Sequence, residues 1–154
     1  MSASLPPLPG SAARVSEGTV ARDYVDSDSG LRLLVMRGRF SWCAYVGAPC
    51  DSPLHGLEEL QFSCHFDITF AQYGGEWPHP PGYFWWGWDY AHCTDRFFPP
   101  PGREHLFDGL PRRRGKDWTV DEVFEDAWDV LMTLRAALQR NDAMTRAILH
   151  KSLT

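Results

Sequence analysis

The chain has 154 residues and a formal net charge of -5, with 44% hydrophobic and 23% charged residues. This length and composition suit one packed domain and exclude a chain that is disordered throughout. The acidic balance argues against nucleic-acid binding, which needs a basic face, because the basic residues form just one short cluster at residues 112–116.

The sequence has no pattern typical of a membrane span or of a secretory signal peptide. Its apolar runs stay below the roughly 18 residues that a spanning helix needs, and the prolines in residues 5–9 break any apolar helix near the start. The four cysteines form no Cys-x-x-Cys pair, which excludes the usual zinc-ribbon and thioredoxin patterns. We therefore expect a cytoplasmic protein with free thiols and no membrane contact.

The residue pattern predicts a flexible N-terminal arm followed by one domain. Residues 1–18 are rich in Ser, Ala, Pro and Gly and predict the arm, so the domain covers residues 19–154. Residues 91–117 carry turn formers without periodicity and predict a long loop. Strand-like runs bounded by turn residues predict strands at residues 19–24, 31–37, 40–46, 60–73 and 82–89.

A strong helix signature lies near the C-terminus, at residues 119–140. Thr119 followed by Glu122 has the spacing of a capping box. The apolar residues behind them recur at three- and four-residue steps, which predicts a single apolar stripe. We therefore predict an α+β fold, in which a small, mostly antiparallel sheet is covered on one face by this long C-terminal helix.

The densest polar cluster follows the last predicted strand. Asp89, His92 and Asp95 are spaced by three residues, and His65 and Asp67 share one face of the preceding strand if that segment is extended. If the two strands pair, these side chains could hold a divalent metal or orient a histidine base. The simpler interpretation is a turn capped by Asp89, with His92 bonded to a backbone carbonyl.

The predicted strand before this cluster is rich in aromatic residues. Alternation places Trp85, Gly87 and Asp89 on one face and Trp86 and Trp88 on the other. If the helix covers one face, the opposite face could form a shelf for a planar ring, with a gap at Gly87. Burial of both faces explains the pattern equally well.

Four stretches of the sequence resemble a family of small phage and prophage proteins of unassigned function. They are Tyr45-Val46-Gly47-Ala48-Pro49, Pro53-Leu54-His55-Gly56, residues 65–70 and residues 84–95. The family motif in the last stretch reads Trp-Trp-x-Gly-Phe-Asp-x-Ala-His-x-Gly-Asp, and the positions that match are His65, Asp89, His92 and Asp95. Phe66-Asp67 stands where the family has a glycine pair, and Thr94 replaces a further glycine. The resemblance implies a phage origin and, by analogy, a role in countering a host defence system.

Together these patterns favour an accessory binding protein without catalysis or cofactor. Its ligand site would combine His65, Trp85, Trp88, Asp89 and His92. Its target would be a small molecule, such as a nucleotide signal, or a host protein. A homodimer is compatible with the many aromatic residues.

Two other interpretations stay open. The first is a metal-dependent hydrolase, with a divalent metal held by His65, Asp67, Asp89, His92 and Asp95. The second is a structural or assembly protein in which all the tryptophans belong to the core.

Overall fold

A computed structural model of the chain describes residues 15–98 and 115–140. These residues form a five-stranded antiparallel sheet with one long helix packed on it. Residues 1–14 of the arm predicted at residues 1–18, and residues 99–114 of the predicted long loop, lie outside the described residues. The elements in chain order are β1 (Val20–Val25), β2 (Arg32–Arg37), β3 (Trp42–Pro49), β4 (Phe70–Tyr73), β5 (Tyr83–Asp89) and α1 (Val120–Gln139).

The strands are arranged in the order β1-β2-β3-β5-β4, and every neighbouring pair is antiparallel. β5 therefore lies between β3 and β4, with Gly87 opposite Tyr45 on β3 and Phe70 on β4. The polar segment that follows Asp89 consequently leaves from the interior of the sheet rather than from an edge. This topology places it beside the segment that precedes β4.

The predicted helix is confirmed, together with its cap. Thr119 accepts a hydrogen bond from the backbone N–H of Glu122, whose side chain accepts one from the backbone N–H of Thr119. The buried stripe of α1 packs on the sheet face formed by β1, β2 and β3. The predicted α+β class is therefore correct. Among the described residues, no helix has the length and apolar character that a membrane span requires.

Both faces of the sheet are covered. Trp86 and Trp88 are buried on the helix face in the main core. Trp85 belongs to a second buried cluster on the opposite face, with Leu34 and Tyr45. The loop between β4 and β5 closes over this second cluster, because the indole Nε1–H of Trp85 donates to the carbonyl of Pro80 at 3.1 Å.

The strand predicted at residues 60–73 is wrong over most of its length. Only Phe70–Tyr73 forms a strand, and the residues before it are irregular, with an isolated bridge between Cys64 and Phe66. Phe66 has a φ of 64°, which interrupts an extended conformation. The premise that His65 and Asp67 share one strand face is therefore wrong as well. β3 also continues to Pro49, three residues beyond the predicted end of this strand at residue 46.

Candidate functional site

Three side chains from two separate segments converge beyond the end of β5. One potential ligand atom from each of His65, His92 and Asp95 lies within 4.8 Å of the other two. Nε2 of His65 is 2.8 Å from Oδ2 and 3.0 Å from Oδ1 of Asp95. Nδ1 of His92 is 3.2 Å from Oδ2 of the same carboxylate. We call these three residues the His-His-Asp cluster.

Asp95 is the fixed point of this cluster, since its side chain is only 1% exposed. Oδ2 accepts a hydrogen bond from the backbone N–H of His92 at 3.0 Å, and Oδ1 accepts one from the indole N–H of Trp118 at 2.9 Å. The backbone N–H of Asp95 in turn donates to the carbonyl of His92 at 2.9 Å. A tight turn and the residue just before the cap of α1 thus hold the carboxylate in place.

The Asp95 carboxylate is a buried negative charge. Burial alone would raise its pKa, but the hydrogen bonds from His65, Trp118 and the backbone of His92 outweigh burial and hold the pKa of Asp95 below its usual value. Within residues 15–98 and 115–140, it forms ion pairs with the two histidines and with no Lys or Arg. Its charge is therefore stabilised by the hydrogen-bond donors around it and by the two imidazoles.

Aromatic rings fix the orientation of both imidazoles. The His65 ring stacks on Tyr90, with centroids 4.5 Å apart and 12° between the planes. The edge of Trp118 lies against it at 5.1 Å. His92 stacks on Phe66 at 4.0 Å. Both histidine side chains keep part of their surface exposed, so the cluster can be reached from solvent.

Tyr90 connects the cluster to the core and to α1. Its hydroxyl accepts a hydrogen bond from the indole N–H of Trp88 at 3.1 Å and donates one to Oδ2 of Asp126 at 2.6 Å. Burial, followed by the hydrogen bond to Asp126, raises the pKa of Tyr90, so the hydroxyl stays protonated. Two hydrogen bonds thereby hold the hydroxyl end of the ring on which His65 stacks.

A groove of about 400 Å³ adjoins the cluster, between the irregular segment before β4 and the middle of α1. His65 is the residue that the groove and the cluster share. Burial, followed by the carboxylates of Asp67 and Asp126, raises the pKa of Cys64 to about 11, so this thiol is neutral near pH 7. The groove is lined by Ser63, Cys64, His65, Phe66, Asp126, Asp129, Val130 and Thr133.

The comparisons with known proteins identify no relative. No protein-family model, curated protein or solved structure matches this chain. The function of the site is therefore inferred from its own geometry and charge.

The structure brings together three of the five predicted metal ligands. Asp67 is exposed and lies outside the group of converging atoms. Asp89 is also outside it: its Oδ1 is 3.9 Å from Nδ1 of His92 and accepts the backbone N–H of Ala91 at 3.1 Å. Asp89 thus caps the turn, as the simpler interpretation had it, whereas His92 bonds a carboxylate instead of a backbone carbonyl.

The predicted aromatic shelf does not form on β5. Trp85 is 0% and Trp88 1% exposed, and they lie on opposite faces of the sheet, so neither ring is available to stack with a ligand beside His92. The gap at Gly87 is filled from within the protein. A Cβ at Gly87 would lie 2.3 Å from Cδ2 of Tyr45, so the glycine makes room for the ring of its neighbour on β3.

Sequence reasoning missed the residues that orient the cluster. Tyr90 stood inside the motif at an unspecified position, and Trp118 lies 23 residues beyond Asp95 in the chain, next to the helix cap. The sequence gives no signal that Trp118 contacts the site. A signal did exist for Phe66, because the resembled family has a glycine there and φ is positive in this structure.

Proposed function

We propose that the protein binds a divalent transition-metal ion through His65, His92 and Asp95. The observation that carries this proposal is the convergence of three ligand atoms on one point. Ligand atoms around a tetrahedral zinc ion, at bond lengths of roughly 2.0–2.1 Å, lie about 3.3 Å apart. The nitrogen-to-oxygen distances of 2.8 and 3.2 Å in the cluster are close to that separation.

The charge of the cluster also supports a cation. Asp95 is a buried carboxylate without a Lys or Arg partner in the described part of the chain, and a divalent ion would balance its charge. The indole N–H of Trp118 bonds the carboxylate from outside the cluster. Hydrogen bonds of this kind commonly orient the ligands of metal sites.

The donor set indicates which ions would fit. Two imidazoles and one carboxylate suit zinc and ferrous iron better than calcium or magnesium, which prefer oxygen ligands alone. Three protein ligands leave a coordination position for water or for a bound molecule, as in catalytic zinc sites. The predicted hydrolase would use that position for a water molecule, and this reaction stays a prediction.

The other functional expectations rest on the sequence. Phage origin and an action against host defence are supported by the motif resemblance, and a homodimer by the aromatic content. The groove beside His65 does not favour the predicted nucleotide signal, because its wall carries Asp126 and Asp129 and would repel phosphate. A sequestering protein that acts through a bound metal fits both the resemblance and the site.

Calorimetric titration with zinc chloride tests the proposal. The protein should carry Cys50→Ser and Cys93→Ser, because both thiols are exposed and thiolates also bind zinc. We expect one tight site, which His92→Ala weakens at least about tenfold. His55→Ala is the matched control, since His55 bonds the carbonyl of Ala48 outside the cluster and its loss should leave zinc affinity unchanged.

Two results would reject metal binding at this cluster. One is a parent protein that takes up no zinc. The other is equal zinc affinity in the His92→Ala and His55→Ala variants. Circular dichroism of each variant checks that the fold is retained.

A further inference from the structure

The groove beside the His-His-Asp cluster has the size of a small-molecule site. Its volume of about 400 Å³ lies within the usual range for ligand pockets, roughly 300–1,000 Å³. One wall is the segment Ser63 to Phe66, and the other is a face of α1. His65 lies at the junction of the groove with the cluster, so a molecule in the groove would contact a cluster residue.

The helix wall of the groove carries two carboxylates, those of Asp126 and Asp129. Acidic residues near the start of α1 have cationic partners: Asp121 is 2.6 Å from Arg22, and Glu122 is 3.1 Å from Lys116. Asp126 and Asp129 form no ion pair with a Lys or Arg in residues 15–98 and 115–140. Asp126 accepts the Tyr90 hydroxyl through Oδ2, which leaves its other oxygen for a ligand.

The remaining lining includes Phe66, Val130 and Thr133. Phe66 contributes a ring that is 49% exposed, and the buried Val130 lies at the helix side. Thr133 supplies a hydroxyl, which donates to the carbonyl of Asp129 at 2.9 Å. The groove thus combines the exposed ring of Phe66 with two carboxylates.

We infer that the groove binds a small organic cation, namely a primary amine or a guanidinium group attached to an apolar or aromatic body. The carboxylates of Asp126 and Asp129 bind the cationic group. Phe66 contacts the body, and a ring in the ligand stacks on Phe66. This binding goes beyond the proposed metal site and does not require the metal.

Titrations with phenethylamine and agmatine, in buffer that contains EDTA, test this inference. The matched probes are 3-phenylpropionate, which replaces the amine by a carboxylate, and 2-phenylethanol, which is neutral. We expect at least one of the two cations to bind with a Kd below about 1 mM. The anion and the alcohol should bind at least about fivefold more weakly than phenethylamine if that amine binds.

Asp129→Asn tests the location, since this side chain is on the exposed side of α1 and the change leaves its shape intact. It should weaken the binding of the cation about threefold to fivefold, as the loss of one exposed ion pair predicts. Glu125→Gln is the control, because it removes one exposed charge from the same helix outside the groove. It should leave affinity unchanged.

The inference is overturned if neither cation binds, if 3-phenylpropionate binds as well as phenethylamine, or if Asp129→Asn and Glu125→Gln have equal effects. Because EDTA removes free metal, these results are independent of the zinc titration. Failure of the amine would leave the metal proposal untouched, and failure of zinc would leave the groove proposal untouched.

Discussion

The Phe66 ring lies parallel to the His92 imidazole, with centroids 4.0 Å apart and 4° between the planes. Phe66 reaches this position with a φ of 64°, a backbone conformation that residues other than glycine rarely adopt. The stack covers one face of a proposed metal ligand at a cost in backbone strain. Glycine at this position would relieve the strain but leave His92 uncovered.

The strain at Phe66 predicts an unusual order of stability between two variants. Phe66→Gly and Phe66→Ala both lose the stack on His92, but only glycine is relaxed at this φ. We expect the Gly variant to be more stable than the Ala variant by about 1 kcal/mol, in reverse of the order usual in regular structure. Urea unfolding of both measures the difference, and a more stable Ala variant would contradict the assigned conformation.

Asp95→Asn should destabilise the fold strongly. The substitution removes the charge from a buried acceptor that bonds His65, His92 and Trp118, and an amide N–H₂ group would face some of these donors. We expect a loss of about 2–4 kcal/mol in the free energy of unfolding without added metal. Asp89→Asn, at a part-exposed turn position, should cost less than about 1 kcal/mol. Similar losses in the two variants would contradict the central place of Asp95.

The hydroxyl of Tyr90 should contribute to stability by itself. Tyr90→Phe leaves the buried indole N–H of Trp88 without its acceptor and removes the donor to Asp126, while the ring that stacks on His65 is kept. We expect a loss of about 1–3 kcal/mol in urea unfolding. Tyr73→Phe, on a ring that is largely exposed, should change stability by less than about 0.5 kcal/mol. Equal effects would show that the hydrogen-bond chain does not stabilise the fold.

His79 predicts a loss of stability in acid. Its ring is packed against Tyr45 and Phe70, and among the described residues its Nε2 is the one buried side-chain nitrogen or oxygen without a hydrogen bond. Burial lowers the pKa of His79, so the unfolded chain binds this proton more readily than the folded one. The contribution of a neutral His79 is therefore fully present above the ordinary histidine pKa of about 6.5 and is lost as the pH falls below it.

The measurement is urea unfolding at about pH 7.5 and pH 5.5, on either side of that ordinary pKa. His79→Leu should reduce the difference in stability between the two pH values. His55→Leu is the control for the loss of an imidazole, because His55 bonds the carbonyl of Ala48 and lies outside the contacts with Tyr45 and Phe70. If the difference in unfolding free energy between the two pH values is the same in His79→Leu as in the parent, the pKa of His79 is not lowered in the folded protein.

The fold was predictable where local signals agree with the tertiary structure. The capping box at Thr119 and the apolar stripe behind it specify α1 without reference to the rest of the chain. The segment before β4 was not predictable in this way. Its aromatic and β-branched residues favour a strand, but Phe66 has a positive φ and its ring stacks on His92, a contact that sequence alone does not reveal.

The site was predictable in part, for a similar reason. His92 and Asp95 meet across a tight turn, so their spacing of three residues was informative. His65 reaches Asp95 from a separate segment and was included because of the expected neighbouring strands, although that segment is irregular. Trp118 could not be foreseen, because its contact with Asp95 depends on where the helix cap lies. The alternation along β5 is compatible with an exposed aromatic shelf and with burial of both faces. The structure shows that both faces are covered.

Anomalous diffraction at the zinc edge, from crystals of the zinc-loaded protein, tests metal binding at the cluster most directly. We expect one strong peak at roughly 2.0–2.2 Å from Nε2 of His65, Nδ1 of His92 and a carboxylate oxygen of Asp95. Zinc bound only at other positions would contradict metal binding at the His-His-Asp cluster. So would the absence of a peak at this position while the two imidazoles still donate to Asp95.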